Sequence, residues 1–599
     1  MSCRIALLTC LTIGITQPRG EDMTHEAETL LSFETFVSVA AGASPGARGP
    51  VSLDSAGAAP VIAVSALEPV ERFYDIELKA PIDAPLSHNQ PCLVSFAARA
   101  VRADDETSEA AVHVYVQSRA DPGRKSLHAI ARIPQAWTTL HFPFAANGAW
   151  EADRLELAFG FGDLVQQVEI RDIRLRGFGP ATAVESLPGP ARGYAGDRPD
   201  AAWRAEARRR IERFRMADIC VTVRDSAGNP APGAAVRCRQ TGHAFRFGSL
   251  LDAEMAVDST DDGRRYREVF VELFNQATAG ALKMPAWHGQ WPHSDPDQMI
   301  AALRWAKARG FPVHGHVLIW PSFKHVSRGV AALADRPESL RVALREHIID
   351  ITERVRPWVD QWDVLNEPFA NHEIIDLLGP AEMTVWFTLA HTHAGGVPCL
   401  INDYGILAAG GLTNTSHQRH FKETIRRLLD NGAPLGGIGL QGHFGAVLTP
   451  PATVVSILDE LAAFDLPIHI SEFDITMDDP EMMARYTRDF MTAAFSHPAV
   501  AGLSLWGFWA GYHWRPRAAL YDRDWNLRPH GEAFRELVLA EWRTDTTVIT
   551  DNRGRARVRG FRGEYEISAT AGSRTVTRTQ TLDTSGLDLR LRMPAEPGR

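Results

Sequence analysis

The stretch Gln361-Trp362-Asp363-Val364-Leu365-Asn366-Glu367-Pro368 reads as a buried strand that halts on a carboxylate. Its apolar run ends in Asn-Glu, and a proline, lacking the N–H for a further ladder bond, closes it. A carboxylate at such a tip is costly, because burial disfavours the charged form. One such tip is explained by a glutamate that holds a loop. The chain repeats the design in Leu466-Pro467-Ile468-His469-Ile470-Ser471-Glu472-Phe473-Asp474-Ile475, and two of them ask for a shared purpose.

Outward from these two strands, residues 245–542 alternate apolar runs with amphipathic helices. The strand candidates are 245–250, 274–278, 311–320, 359–367, 398–404, 437–444, 468–475 and 500–509. Helical patterns fall between them, for example at 296–309, 340–356, 417–431 and 451–464. Continuous apolar runs separated by helices predict parallel strands covered on both faces. Eight such units predict a closed (β/α)₈ TIM barrel, and no Gly-x-Gly-x-x-Gly opens a helix as a dinucleotide fold would require.

In such a barrel the polar residues at the C-terminal strand ends gather at one mouth. The rule collects His314-Gly315-His316 with Trp320, Asn366-Glu367, Asn402-Asp403-Tyr404, Gln441-Gly442-His443, Glu472-Phe473-Asp474, and Trp506 to Trp509 with Trp514 behind. Singly, each would be a satisfied core residue. Two glutamates brought together from distant strands are what a two-carboxylate hydrolase needs.

Residues 240–542 resemble the catalytic domain of family 10 glycoside hydrolases, the endo-1,4-β-xylanases. The motifs that carry the resemblance are His316-Val317-Leu318-Ile319-Trp320, Trp362 to Pro368, Gly439-Leu440-Gln441-Gly442-His443-Phe444 and Ser471-Glu472-Phe473-Asp474, in the family's order. The resemblance implies Glu367 as general acid/base and Glu472 as nucleophile. It implies Asn366 on the sugar 2-hydroxyl, Gln441 and His443 positioning Glu472, and Lys283, His316, Trp320, Trp506 and Trp514 lining the subsite beside the scissile bond. Carboxyls about 5–5.5 Å apart across the mouth would give a covalent intermediate and retained configuration. An acid at Glu367 calls for a raised pKa, expected from the charge of Glu472 and a Trp-lined, partly apolar setting. No cofactor and no metal are implied. Where the family has a Glu-Asn pair before the lysine this chain has Ala279-Gly280, and where it has His-x-Gln after the tryptophan this chain has Pro321-Ser322-Phe323. The expected function is therefore a retaining endo-β-1,4-glycanase acting on xylan or a related hemicellulose. The alternatives are a relative acting on another β-linked or decorated glycan, and an inactive carbohydrate-binding surface protein.

The flanks set the expected organisation. Residues 1–20, with the apolar run from Ile5 to Ile15, fit a cleaved signal peptide and a secreted or periplasmic product, and no later segment is a membrane anchor. Residues 21–65 carry no clear period and are expected as a low-order leader. Short alternating runs over 66–180 predict a jelly-roll-like β-sandwich of the carbohydrate-binding kind, followed by a linker at 181–200. The barrel unit with a short β lead-in is placed at 201–544, and a small β appendage at 545–599, with the strands near Cys220 as candidates to complete it. Cys220 and Cys238 sit in neighbouring strand-like runs and fit either a disulfide or two buried free thiols. A formal charge of -10 argues against a nucleic-acid partner, and 15 tryptophans among 599 residues leave aromatic faces for stacking on sugars.

Overall fold

The computed structural model describes residues 27–42, 46–55, 59–68, 70–105, 107–189, 193–291 and 294–595; the expected signal segment lies outside them. Among the described residues no helix is long and apolar enough to cross a membrane.

The eight expected strands close into a parallel barrel. In order they are Arg246–Leu250, Gln276–Ala279, Val313–Gly315, Gln361–Asn366, Cys399–Asp403, Leu435–Phe444, Ile468–Ile475 and Val500–Leu505. The first pairs with the last, Phe247 opposite Leu503, which seals the ring. The helices Pro296–Ala308, Pro337–Val355, Ser416–Asp430, Pro451–Ala462 and Pro480–Ser496 pack their apolar faces on it. Trp362 is fully buried, and Gly315 on the neighbouring strand makes room for it: a Cβ there would sit 2.5 Å from the indole.

Ahead of the barrel lies an antiparallel sandwich of two sheets. One sheet runs Val51–Asp54, Val61–Ala66, Gln166–Gly177, Pro91–Ala103, Thr138–Ala145, with Glu28–Leu31 also on Gln166–Gly177. The other runs Ala47–Arg48, Glu77–Pro81, Leu155–Gly160, Ala110–Ser118, Lys125–Ile133. Phe96, Phe159 and Ile170 fill the space between them. The supposed low-order leader, 21–65, thus contributes strands, and the sandwich begins well before residue 66. These strands are only two to six residues long, and along Val61–Ala66 every second side chain is buried, too short a pattern to stand out in an Ala/Gly/Ser-rich stretch.

The β lead-in does not pair with the barrel. Met216–Arg224 lies between Arg555–Phe561 and Leu587–Arg592, and Ala235–His243 between Asp545–Ile549 and Gly563–Ala571. The appendage is therefore one small two-sheet unit built from both sides of the barrel sequence, with its own core around Ile219, Val236, Tyr565 and Ile567. Cys220 is exposed, Cys238 is buried in that core, and both are free thiols. The pairing option falls because the two side chains face opposite ways.

The arginine-rich helix Ala202–Phe214 is tied to the barrel. Arg204 grips the buried Asp489 with two N–H groups at 2.5 Å. Just past the helix, buried Arg215 donates to the carbonyls of Phe495, His497 and Val500. The sandwich reaches the rim of the barrel mouth: Glu109 Oε1 accepts the Val447 N–H at 2.7 Å, and Asp105 lies 3.6 Å from Arg515.

Candidate active site

Glu367 and Glu472 emerge at the ends of the fourth and seventh strands, 6% and 3% exposed. Glu367 takes φ 54°, left-handed backbone that costs a non-glycine residue about 1–3 kcal/mol. Two bonds hold it there: its N–H donates to Asn402 O at 2.8 Å, and its own carbonyl accepts the Asn371 N–H at 3.0 Å. The turn swings the carboxylate off the strand line and into the mouth.

The two carboxylates are joined by a short chain of side-chain amides. Asn366 Nδ2 donates to Glu367 Oε1 at 3.0 Å; Asn402 Nδ2 donates to Asn366 Oδ1 at 2.9 Å and to Glu472 Oε1 at 2.8 Å. Ser471 Oγ, donating to Asn402 Oδ1 at 2.6 Å, fixes which way that amide faces. Gly439 on the sixth strand leaves the room, since a Cβ there would come within 2.5 Å of Asn402 Oδ1.

The remaining donors divide between the two acids. Glu367 Oε1 also accepts Gln441 Nε2 at 2.8 Å, while Oε2 accepts Trp320 Nε1 at 3.0 Å and Asn371 Nδ2 at 3.1 Å. Four uncharged N–H donors, one of them the indole of the expected tryptophan lining, meet Glu367. Gln441 was expected on Glu472, its register partner across the sixth and seventh strands, yet its amide turns to Glu367. Glu472 Oε2 instead lies 3.3 Å from His443 Nε2, whose Nδ1 is 3.0 Å from Asp474 Oδ1. Burial alone would lower the His443 pKa, but Asp474 and Glu472 outweigh it and raise it to about 10. The ring is therefore cationic at neutral pH, and its charge sits against Glu472.

His316 and His314 both approach the buried Asp363, at 2.8 and 2.7 Å. Burial works against ionising Asp363, yet the two histidines prevail and hold its pKa below the ordinary carboxylate value. His316 Nδ1 also comes within 3.8 Å of Glu472. The Lys283 ammonium lies 5.2 Å from the ring centroids of Trp320 and Trp506 and 5.6 Å from Trp291. Trp514, 44% exposed, donates its indole N–H to Asp474 Oδ2 at 2.7 Å and packs its ring 4.9 Å from His443. All ten residues named from the sequence thus converge on one mouth. Asn402, Asn371, Asp363 and Asp474 join them; three stand in the quoted strand ends, but no sequence pattern states which acceptor an amide will face. Among the described residues no group of three or more His, Cys, Asp or Glu side chains is arranged to hold a metal ion.

Residues 239–537 match the family model described as glycosyl hydrolase family 10. The anti-sigma-I factor RsgI6 of Acetivibrio thermocellus is 28% identical over 375 residues, 61% of this chain and 47% of that protein. Endo-1,4-beta-xylanase 1 of Arabidopsis thaliana is 27% identical over 388 residues, 64% of this chain and 39% of that protein. The chain thus spans less than half the length of these two relatives. Among solved structures, xylanase 10B from Thermotoga petrophila RKU-1 in complex with xylobiose aligns with a TM-score of 0.45 at 22% identity, over 50% of this chain and 95% of that one.

Proposed function

The chain carries a glycosyl hydrolase family 10 domain over residues 239–537, and from that premise we propose that it is a retaining endo-β-1,4-glycanase that cleaves the xylan backbone. The observation that supports the reading best is the amide bridge Glu367–Asn366–Asn402–Glu472, which holds two strand-end carboxylates across one barrel mouth.

In the first step Glu472 attacks the anomeric carbon as the glycosidic C–O bond breaks, and Glu367 passes its proton to the leaving oxygen. In the second, Glu367 takes a proton from water, whose oxygen displaces Glu472 and frees the sugar with its configuration retained. The neighbours suit this division of labour. The His443 cation accompanies the group that attacks as an anion, while amide and indole donors meet the group that must gain and lose a proton. Asn366, already on Glu367, is placed to meet the 2-hydroxyl, and Lys283 with Trp320, Trp506 and His316 forms the wall for the sugar beside the cut. Export accompanies this reading, because a polymeric glycan is met outside the cell.

A second reading, another or a decorated β-glycan, has its own observation. At Gly280 a Cβ would lie 2.6 Å from the Leu250 Cδ1 methyl, so an asparagine there would have to displace that side chain, and neither Ala279 nor Gly280 offers a polar group to the glycone sugar. Reducing-end release from xylan, arabinoxylan, mixed-linkage glucan and mannan, with Glu472→Ala as control, separates the two. Release from xylan that disappears in the variant is the expected result; release only from another polymer selects the second reading, and binding without release defeats both.

A further inference from the structure

A cavity of about 800 Å³ lies between the sandwich and the barrel rim, and neither Glu367 nor Glu472 lines it. Its volume falls in the range of small-molecule and oligosaccharide sites. The barrel wall directly continues the strands that carry the active site. Gly445 to Leu448 begin two residues past His443, and Thr476 and Met477 begin two residues past Asp474. Arg515 also lines it, with its guanidinium stacked 4.1 Å over the exposed Trp514 ring. The sandwich wall comes from two edge strands, Lys125–Ile133 and Thr138–Ala145, and combines an apolar shelf of Ile130, Leu140 and Phe142 with Arg132.

The two walls are fastened to each other. Glu109 of the sandwich sits on the Val447 amide, and Asp105 faces Arg515. Asp478 is taken up by Arg517 at 2.7 Å. Arg132 lies within electrostatic reach of Glu109, and among the described residues its guanidinium makes no side-chain hydrogen bond, so its N–H fork can meet oxygen acceptors. An apolar shelf beside unspent donors is the combination that suits the faces and hydroxyls of a sugar chain.

We infer that this cavity is an extension of the substrate groove: it takes the β-linked glycan as the chain runs past Trp514 away from the cleavage point, and the sandwich serves as one wall of that groove. The inference rests on the glycanase reading and adds to it a site that the barrel alone does not possess.

The test is calorimetric binding of a xylo-oligosaccharide trimer and octamer to the full chain carrying Glu472→Ala. Two further variants in that background change the sandwich wall: Ile130→Trp, which fills the cavity, and Arg132→Ala. Both positions are exposed, so the fold tolerates the changes. The expected result is an octamer bound about tenfold tighter than the trimer, an advantage of about 1.4 kcal/mol, that shrinks at least fivefold in each variant. Equal affinities in the parent, or an advantage intact in both variants, overturns the cavity site and leaves the proposed reaction standing. Failure of both oligosaccharides to bind overturns the reading of the chain as a xylan-cleaving enzyme, and the cavity site with it.

Discussion

At the scale of single residues, the two glutamates differ by the company they keep. Glu472 has a cationic histidine against it and Glu367 has amides and an indole, so their substitutions should fail in different ways. Glu472→Ala should lower kcat by roughly 10⁴-fold or more, and added azide should yield the inverted glycosyl azide; Glu367→Ala with azide should yield the retained one. Product analysis by NMR checks both. His443 makes a prediction about pH. Its folded pKa of about 10 stands above the 6.5 of an unfolded histidine, so the stability it contributes is complete below about pH 6.5 and fades as pH rises through about 10. His443→Gln should flatten the fall of Tm between pH 7 and 10 and lower kcat by roughly 10²-fold. A thermal-melt series that keeps the wild-type slope would show that the ring is neutral.

At the scale of elements, the strand ends work because small residues beside them leave space. Gly439→Ala would drive a methyl into Asn402, whose amide reaches both Asn366 and Glu472. The substitution should cost about 1–3 kcal/mol of stability and lower kcat more than it changes KM, which steady-state kinetics and denaturant melts would show. Asn402→Ala should reproduce the kcat loss without the overpacking. These elements also show what was legible in the sequence. The barrel strands are covered on both faces, so they read as unbroken apolar runs, and the tips at Glu367 and Glu472 stood out against them. The amide orientations did not: Gln441 is the register partner of Glu472 yet faces Glu367, because its side chain follows the available acceptor and not the ladder. The strands from Glu28 to Ala66 were equally hidden, being short, partly exposed and poor in large side chains.

At the scale of the whole molecule, the sandwich and the barrel meet through a buried carboxyl that no pattern in the sequence separates from a surface acid. Burial is the largest influence on Glu109 and outweighs the Val447 amide, raising its pKa from 4.5 to about 7. A raised carboxyl pKa contributes stability that is whole below about pH 4.5 and lost as pH rises through about 7. Docking should therefore loosen across that window, and Glu109→Gln should remove the dependence. Hydrogen exchange at residues 445–448 is the readout, and an unchanged pH profile in the variant would contradict the assignment. All of this presupposes the barrel chemistry, which the intact chain can report directly. The measurement is peptide mapping after incubation with an activated 2-deoxy-2-fluoro xylobioside, whose glycosyl-enzyme ester turns over slowly. One glycosyl adduct is expected, on the peptide bearing Glu472; no adduct, or an adduct on Glu367, would contradict the assignment of Glu472 as nucleophile.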